Sequence, residues 1–312
     1  MVPIELMRMN RFFYPIICVL ILISCGESTT TTATYHNAKS LYEAAQLFSI
    51  NDKSDPIVLI DFREKEDYLA GHIQGAINIT RKEVQDTAAA IGGIKLDKVS
   101  FEKLLQRKGI INGYRIVIYD DKMCCDAARL WWMLRINGSE KVSLLNGGLQ
   151  NYIKEGGELV TEVTEKKPTE FKFAGRGLGL EAKRQLVSSV LNKDGWTIVD
   201  ARSVEEYTGK IFSKKCKKKG RIPGSLNIDW SYSVNYHEDQ KFKSAEKLVG
   251  IFKLNGISKE ENVVAYCRSG VRSAHTTFVL TELLGYPNVY NYDGSWLEWS
   301  SIDELPVELK AI

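Results

Sequence analysis

The chain has 312 residues, 26% charged and 44% hydrophobic, an ordinary soluble composition with room for two domains. Its 42 basic and 39 acidic residues leave a formal net charge of +3, too small to imply a nucleic-acid partner. Six cysteines (Cys18, Cys25, Cys124, Cys125, Cys216 and Cys267) in a chain this long do not form a disulfide framework, and no metal-ligand spacing is present.

Taken in chain order, Arg8 and Arg11 precede an apolar run, Phe12 to Ile23, which is short for a bilayer span and ends in small residues as a signal peptide does. Leu22, Ile23, Ser24 and Cys25 resemble a bacterial lipobox, so residues 1–25 read as a lipoprotein-type signal with Cys25 lipidated. The alternative is an uncleaved N-terminal anchor. Either reading exports the body, and the first places it at the cell envelope, held to a membrane by lipid. The Ser/Thr tract within residues 26–36 then serves as a tether.

The body repeats itself. RIVIYD, Arg115 to Asp120, matches NVVAYC, Asn262 to Cys267, and Ala127, Gly138 and Gly147 match Ala274, Gly285 and Gly294 at the same offset. Upstream, Asp61 pairs with Asp200 and Gly71 with Gly220, which puts extra residues into the second copy, among them the lysine-rich run at 214–219. Strand-like runs in the first copy are IVLID, AINI, RIVIYD and VSLL, and in the second TIVDA, SLNI, NVVAYC and NVYNY. Helical patterns run from Ser100 to Lys108, Ala127 to Ile136, Ser244 to Lys253 and Ala274 to Leu284, the last stopped by Gly285 and Pro287. The alternation predicts an α/β fold of two tandem domains, each a mostly parallel sheet with helices on both faces. The expected boundaries are 37–160 and 181–312, joined by a linker at 161–180.

The segment VVAYCRSGVRS, Val263 to Ser273, carries the chemistry. A strand ends on Cys267, a Gly-containing turn follows, and a helix pattern begins, so backbone amides and a helix N-terminus surround the sulfur. Arg268 and Arg272 add two cations, and all these favour thiolate, the reactive form. The spacing is C-x4-R; a cysteine phosphatase, with C-x5-R, would need arginine where Ser273 stands. The tighter ring suits sulfur better than a tetrahedral phosphate. In the first copy Asp120-Asp121-Lys122-Met123-Cys124-Cys125 occupies the equivalent loop, and its carboxylates would repel an anionic donor. That copy is expected to be silent.

Four segments in order, CRSGVRS, the IVDAR stretch ending at Arg202, GRIPGSLNI from Gly220 and YDGSWLEW from Tyr292, make the chain resemble the two-domain rhodaneses, the thiosulfate and 3-mercaptopyruvate sulfurtransferases. The resemblance implies Cys267 as a nucleophile that carries sulfur as a persulfide without any cofactor. It implies substrate contacts from Arg202, whose alternative is an ion pair securing the strand end, and from Arg268, Ser269, Gly270, Val271 and Arg272; Trp296 is expected in the core or on the cleft wall. The donor is a small anion, and the acceptor cyanide or a thiol, including that of a thioredoxin-like protein. Arg268 follows the thiosulfate pattern and Ser269 the mercaptopyruvate pattern, so 3-mercaptopyruvate is the alternative donor. A cysteine phosphatase of the related fold and a non-catalytic persulfide carrier are the other readings. Asp200, Glu205, His72 and His275 are expected to be structural, Trp299 to pack in the core or cleft wall, and the lysine run to form a solvated loop.

Overall fold

A computed structural model of the protein describes residues 34–48 and 55–309; Cys25, the apolar run before it and most of the tether lie outside them. Among the described residues no helix is long and apolar enough to cross a membrane.

In the first half the strands are β1 (Leu41–Tyr42), β2 (Ile57–Asp61), β3 (His72–Ile73), β4 (Ile77–Asn78), β5 (Arg115–Tyr119), β6 (Val142–Leu145) and β7 (Leu159–Val160). Between them lie α1 (Ala44–Phe48), α2 (Lys65–Ala70), α3 (Lys98–Arg107), α4 (Cys125–Asn137) and α5 (Gly148–Lys154). In the second half come β8 (Glu181–Ala182), β9 (Trp196–Asp200), β10 (Leu226–Asn227), β11 (Asn262–Tyr266) and β12 (Val289–Tyr292). Their helices are α6 (Arg184–Ser189), α7 (Val204–Thr208), α8 (Ala245–Leu254), α9 (Arg272–Phe278) and α10 (Ser295–Trp299).

Each half builds a five-stranded parallel sheet, ordered β1-β6-β5-β2-β4 and β10-β9-β11-β12-β8. These orders are the same topology read from opposite edges. The register agrees too, since Asp61 faces Tyr119 as Asp200 faces Tyr266. The central strands are continuous apolar runs because helices cover both faces of a parallel sheet.

The predicted helices and strands are present with shifts of a residue or two at their ends. Asp97 caps α3 through the amides of Val99 and Ser100, and Ser244 caps α8 through Lys247. The last predicted helix is α9 followed by a single π-helical turn, Val279–Leu283, the rare form in which such turns interrupt an α-helix. The two-residue strands β1, β3, β7 and β8 carry no periodicity that could announce them. Residues 169–173 are strapped along the first half: Phe173 N donates to Glu102 and Gln106 donates to Phe171 O, while Phe171 and Phe173 are buried.

The halves share one core. It runs from Ile60 and Ile118 through Trp131 on α4 to Phe278 on α9, where Trp131 and Phe278 meet edge to face at 5.0 Å between centroids. Beside it, Arg129 from α4 forms a buried ion pair with Asp293 after β12, and also donates to Gly93 O and Gly270 O. The two β-strand–loop–helix units are thereby packed with their loops on a common cleft.

Candidate active site

Cys267 follows β11, at the carboxyl end of the sheet where parallel α/β folds place ligands. It is 1% exposed, and its sulfur borders a cleft of about 820 Å³. The loop after it is pinned by one hydroxyl. Ser295 Oγ accepts from Cys267 N at 3.1 Å and from Gly270 N at 3.0 Å, and donates to Tyr292 O at 2.7 Å. The start of α10 adds two backbone bonds, Trp296 N to Cys267 O and Leu297 N to Arg268 O, both 3.0 Å.

Burial works against charge on the Cys267 sulfur, but Arg272, the Ser273 hydroxyl and the amides of Ser273 and Ser269 outweigh it. The thiol is brought down to about 7. The Ser273 hydroxyl lies 3.6 Å from the sulfur. Arg272 is held in turn by a two-point pair with Glu206 of α7, at 2.5 and 3.0 Å. Sequence reasoning assigned a structural part to Glu205; the carboxylate that reaches the loop is its neighbour Glu206.

Of the expected contact residues, Arg268, Ser269, Val271 and Arg272 line the cleft beside Cys267. Arg268 is exposed and makes no ion pair among the described residues. The Ser269 hydroxyl accepts from Arg81, which crosses from the first half and pairs with Asp126. Gly270 turns the loop instead of facing the cleft. Its φ is +75° and an added Cβ would lie 2.8 Å from both Arg129 Nη1 and Asp293 O, so only glycine fits.

Arg202 and Trp296 do not line the cleft. Arg202 is 2% exposed and does not line the cleft; it forks onto Asp200, with Nη2 at 2.5 Å, and donates to Gly220 O at 2.8 Å. The first half repeats this arrangement, Arg63 bonding Asp61 at 2.6 Å and Gly71 O at 2.7 Å. A device common to both copies secures the fold. Trp296 is likewise core: it is 1% exposed, stacks beneath Arg202 with 4.8 Å from guanidinium to ring, and donates to Lys218 O.

The first-half loop shows what fills the cradle when no thiol is there. Asp120 ends β5 as Cys267 ends β11, and its carboxylate accepts from the amides of Lys122, Cys124 and Ala127 at 2.8 to 2.9 Å. Burial first, and then Asp126, pushes Asp120 up to about 6 despite those amides. An anion attached to the protein occupies the nest, leaving none of it for a substrate.

His275 sits just inside α9, wholly buried, stacked on Phe242 at 5.0 Å and edge-on to Trp230. Burial holds it down to about 3, which removes it as an acid or base at neutral pH. His72 bridges the carbonyls of Tyr68 and Glu162. Trp299 is core, donating to Pro306 O. In the lysine run, Lys214, Lys215, Lys217 and Lys219 are exposed, while Cys216 turns inward and Lys218 ties the carbonyls of Ile302, Asp303 and Leu305. Cys124 and Cys125 are unbonded to each other.

The fold and this loop define a tandem α/β protein with one anion-holding cysteine. The Rhodanese-like domain model matches twice, at residues 43–155 and 184–302, and the chain belongs to that family. The sulfur carrier protein TtuD of Thermus thermophilus is 38% identical over 249 residues, covering 77% of this chain and 86% of the relative. A Saccharopolyspora erythraea protein provisionally named a thiosulfate sulfurtransferase is 36% identical over 267 residues, 83% of this chain and 92% of the relative. Among solved structures, the anaerobic ergothioneine biosynthesis enzyme of Chlorobium limicola superimposes with a TM-score of 0.79. It shares 22% identity, with 89% of this chain and 72% of that one covered, which speaks to the fold alone. The protein is a sulfurtransferase of the rhodanese family.

Proposed function

We propose that the protein moves sulfane sulfur from thiosulfate through a Cys267 persulfide to cyanide or a thiol. The observation that carries this reading is the Cys267 sulfur itself, brought down to about 7 by Arg272, Ser273 and loop amides against the cost of burial. At neutral pH a large fraction is thiolate, ready for covalent catalysis. The thiolate attacks the outer sulfur of thiosulfate, the S–S bond breaks, and sulfite leaves with the bonding pair. An acceptor then takes the outer sulfur and returns the thiolate. The loop amides and Arg272 face the charge throughout, as preorganised donors do.

Thiosulfate is preferred over 3-mercaptopyruvate as donor because Arg268 stands in the cleft with no ion pair among the described residues and offers its charge to a dianion. Steady-state rates with the two donors test the choice: a higher kcat/KM for thiosulfate is expected, and a higher value for 3-mercaptopyruvate overturns it. The run ending at Cys25 supports export and lipid anchoring; metabolic labelling with a fatty acid, lost in Cys25→Ala, tests that part.

A further inference from the structure

A second thiol faces the cleft. Cys125 is the first residue of α4, which packs against α9, and α9 opens with Arg272 directly after the Cys267 loop. Cys125 therefore occupies in the first half the place that Arg272 holds in the second. Its side chain lines the same cleft as Cys267 and Arg272 and is 7% exposed. The adjacent Cys124 is a packing residue, wholly buried and donating to Leu145 O at 3.1 Å. Cys125 Sγ makes no hydrogen bond among the described residues. Most buried thiols serve as small apolar fillers away from any cavity; this one borders the cavity that Cys267 also borders.

We propose that Cys125 is an internal sulfur acceptor, receiving the outer sulfur of the Cys267 persulfide and holding it on the opposite wall of the cleft. The proposal rests on the sulfurtransfer reading of Cys267. The outer atom of a persulfide stands about 2 Å beyond Sγ, one S–S bond length, and so projects into the cleft that Cys125 borders. Cys125 sulfur attacks that outer atom, the persulfide S–S bond breaks, and the Cys267 sulfur leaves with the electron pair. The Cys125 proton ends on the Cys267 sulfur. Cys267–S–SH and Cys125–SH thus become Cys267–SH and Cys125–S–SH, one sulfur oxidised as the other is reduced, with no further reagent.

The direction follows from the surroundings. A thiol of lower pKa is the better leaving group, and Cys267 is the one brought down to about 7. Cys125 is held well above the ordinary thiol range by burial first, then by Asp126 and Asp120. The same surroundings keep Cys125 thiolate scarce, so the transfer is slow; Cys125 is also the poorer leaving group, so sulfur that reaches it is retained and Cys267 is free to react with a second donor.

The test incubates the full chain with excess thiosulfate without oxygen, alkylates it, and maps sulfur by peptide fragmentation, which separates Cys124 from Cys125. Wild type is expected to carry one extra sulfur, about 32 Da, on each of Cys267 and Cys125. Cys125→Ala and Cys125→Ser, each checked for a cooperative melt, should carry it on Cys267 alone, and Cys267→Ser on neither. Sulfur on Cys267 with none on Cys125 overturns the proposal while leaving the sulfurtransfer reading intact. So does sulfur reaching Cys125 in Cys267→Ser, or a Cys125–Cys267 disulfide in place of the second persulfide. No sulfur on Cys267 in wild type removes the underlying reading and this proposal together.

Discussion

Asp120 stands in the first repeat where Cys267 stands in the second, each at the end of the sheet's central strand with its side chain aimed into a ring of backbone amides. One fold thus presents the same anion nest twice, once filled by a carboxylate and once by a sulfur. What the two copies share, such as Arg63 on Asp61 and Arg202 on Asp200, belongs to the architecture. What they do not share is chemistry.

Arg272 is the largest influence lowering the Cys267 thiol. In Arg272→Gln the thiol should return toward the ordinary cysteine range, near 8.5, so the thiolate fraction at pH 7 falls on the order of tenfold. The pH profile of Cys267 alkylation measures this: wild type should rise through about 7, and the variant at least one pH unit higher. An unshifted profile would mean that amides and Ser273 suffice.

Ser295 satisfies two loop amides with one oxygen. Ser295→Ala leaves Cys267 N and Gly270 N buried without that acceptor, at a cost of about 1–3 kcal/mol. Urea unfolding reads the stability loss, and the alkylation rate of Cys267 should fall with it as the loop loosens.

The Arg129–Asp293 pair is buried between the halves, with side chains 3% and 9% exposed. Removing one partner strands a charge, so Arg129→Ala should destabilise the protein by about 3–5 kcal/mol. Arg129→Met with Asp293→Asn should recover part of that loss, which a double-mutant cycle in urea measures.

His275 remains neutral in the fold down to about 3, whereas an unfolded histidine takes up a proton near 6.5. The unfolded state therefore binds more protons between those values, and stability must fall as pH drops through that window. His275→Phe, which keeps an aromatic ring against Phe242 and Trp230, should flatten the loss between pH 7 and 4 in urea midpoints. An unchanged slope would assign acid sensitivity to carboxylates alone.

Much of this was legible in the sequence because parallel strands buried on both faces are apolar runs, and because two copies of one pattern confirm each other. Cys267 and its loop were legible for the same reason: a thiol, glycine and two arginines between strand and helix have few other uses. Ser295 was not, since its role depends on α10 folding back onto a loop 28 residues earlier. Glu206 was missed by one residue because α7 is a single short turn of helix, too brief to phase two adjacent carboxylates. Arg81 reaches the site from the other half and no local pattern marks it; the repeat sets Cys125 opposite Arg272 but does not show that it borders the same cleft. For Arg202, sequence offers both substrate contact and a strand-end ion pair; the structure shows the pair with Asp200, repeated by Arg63 on Asp61 in the first half.

The most direct measurement of the central claim is the mass of the Cys267 peptide after exposure of the reduced protein to thiosulfate, followed by cyanide. The account predicts a gain of about 32 Da on Cys267 that cyanide removes as thiocyanate. A Cys267 peptide of unchanged mass, with sulfite nonetheless released, would contradict it.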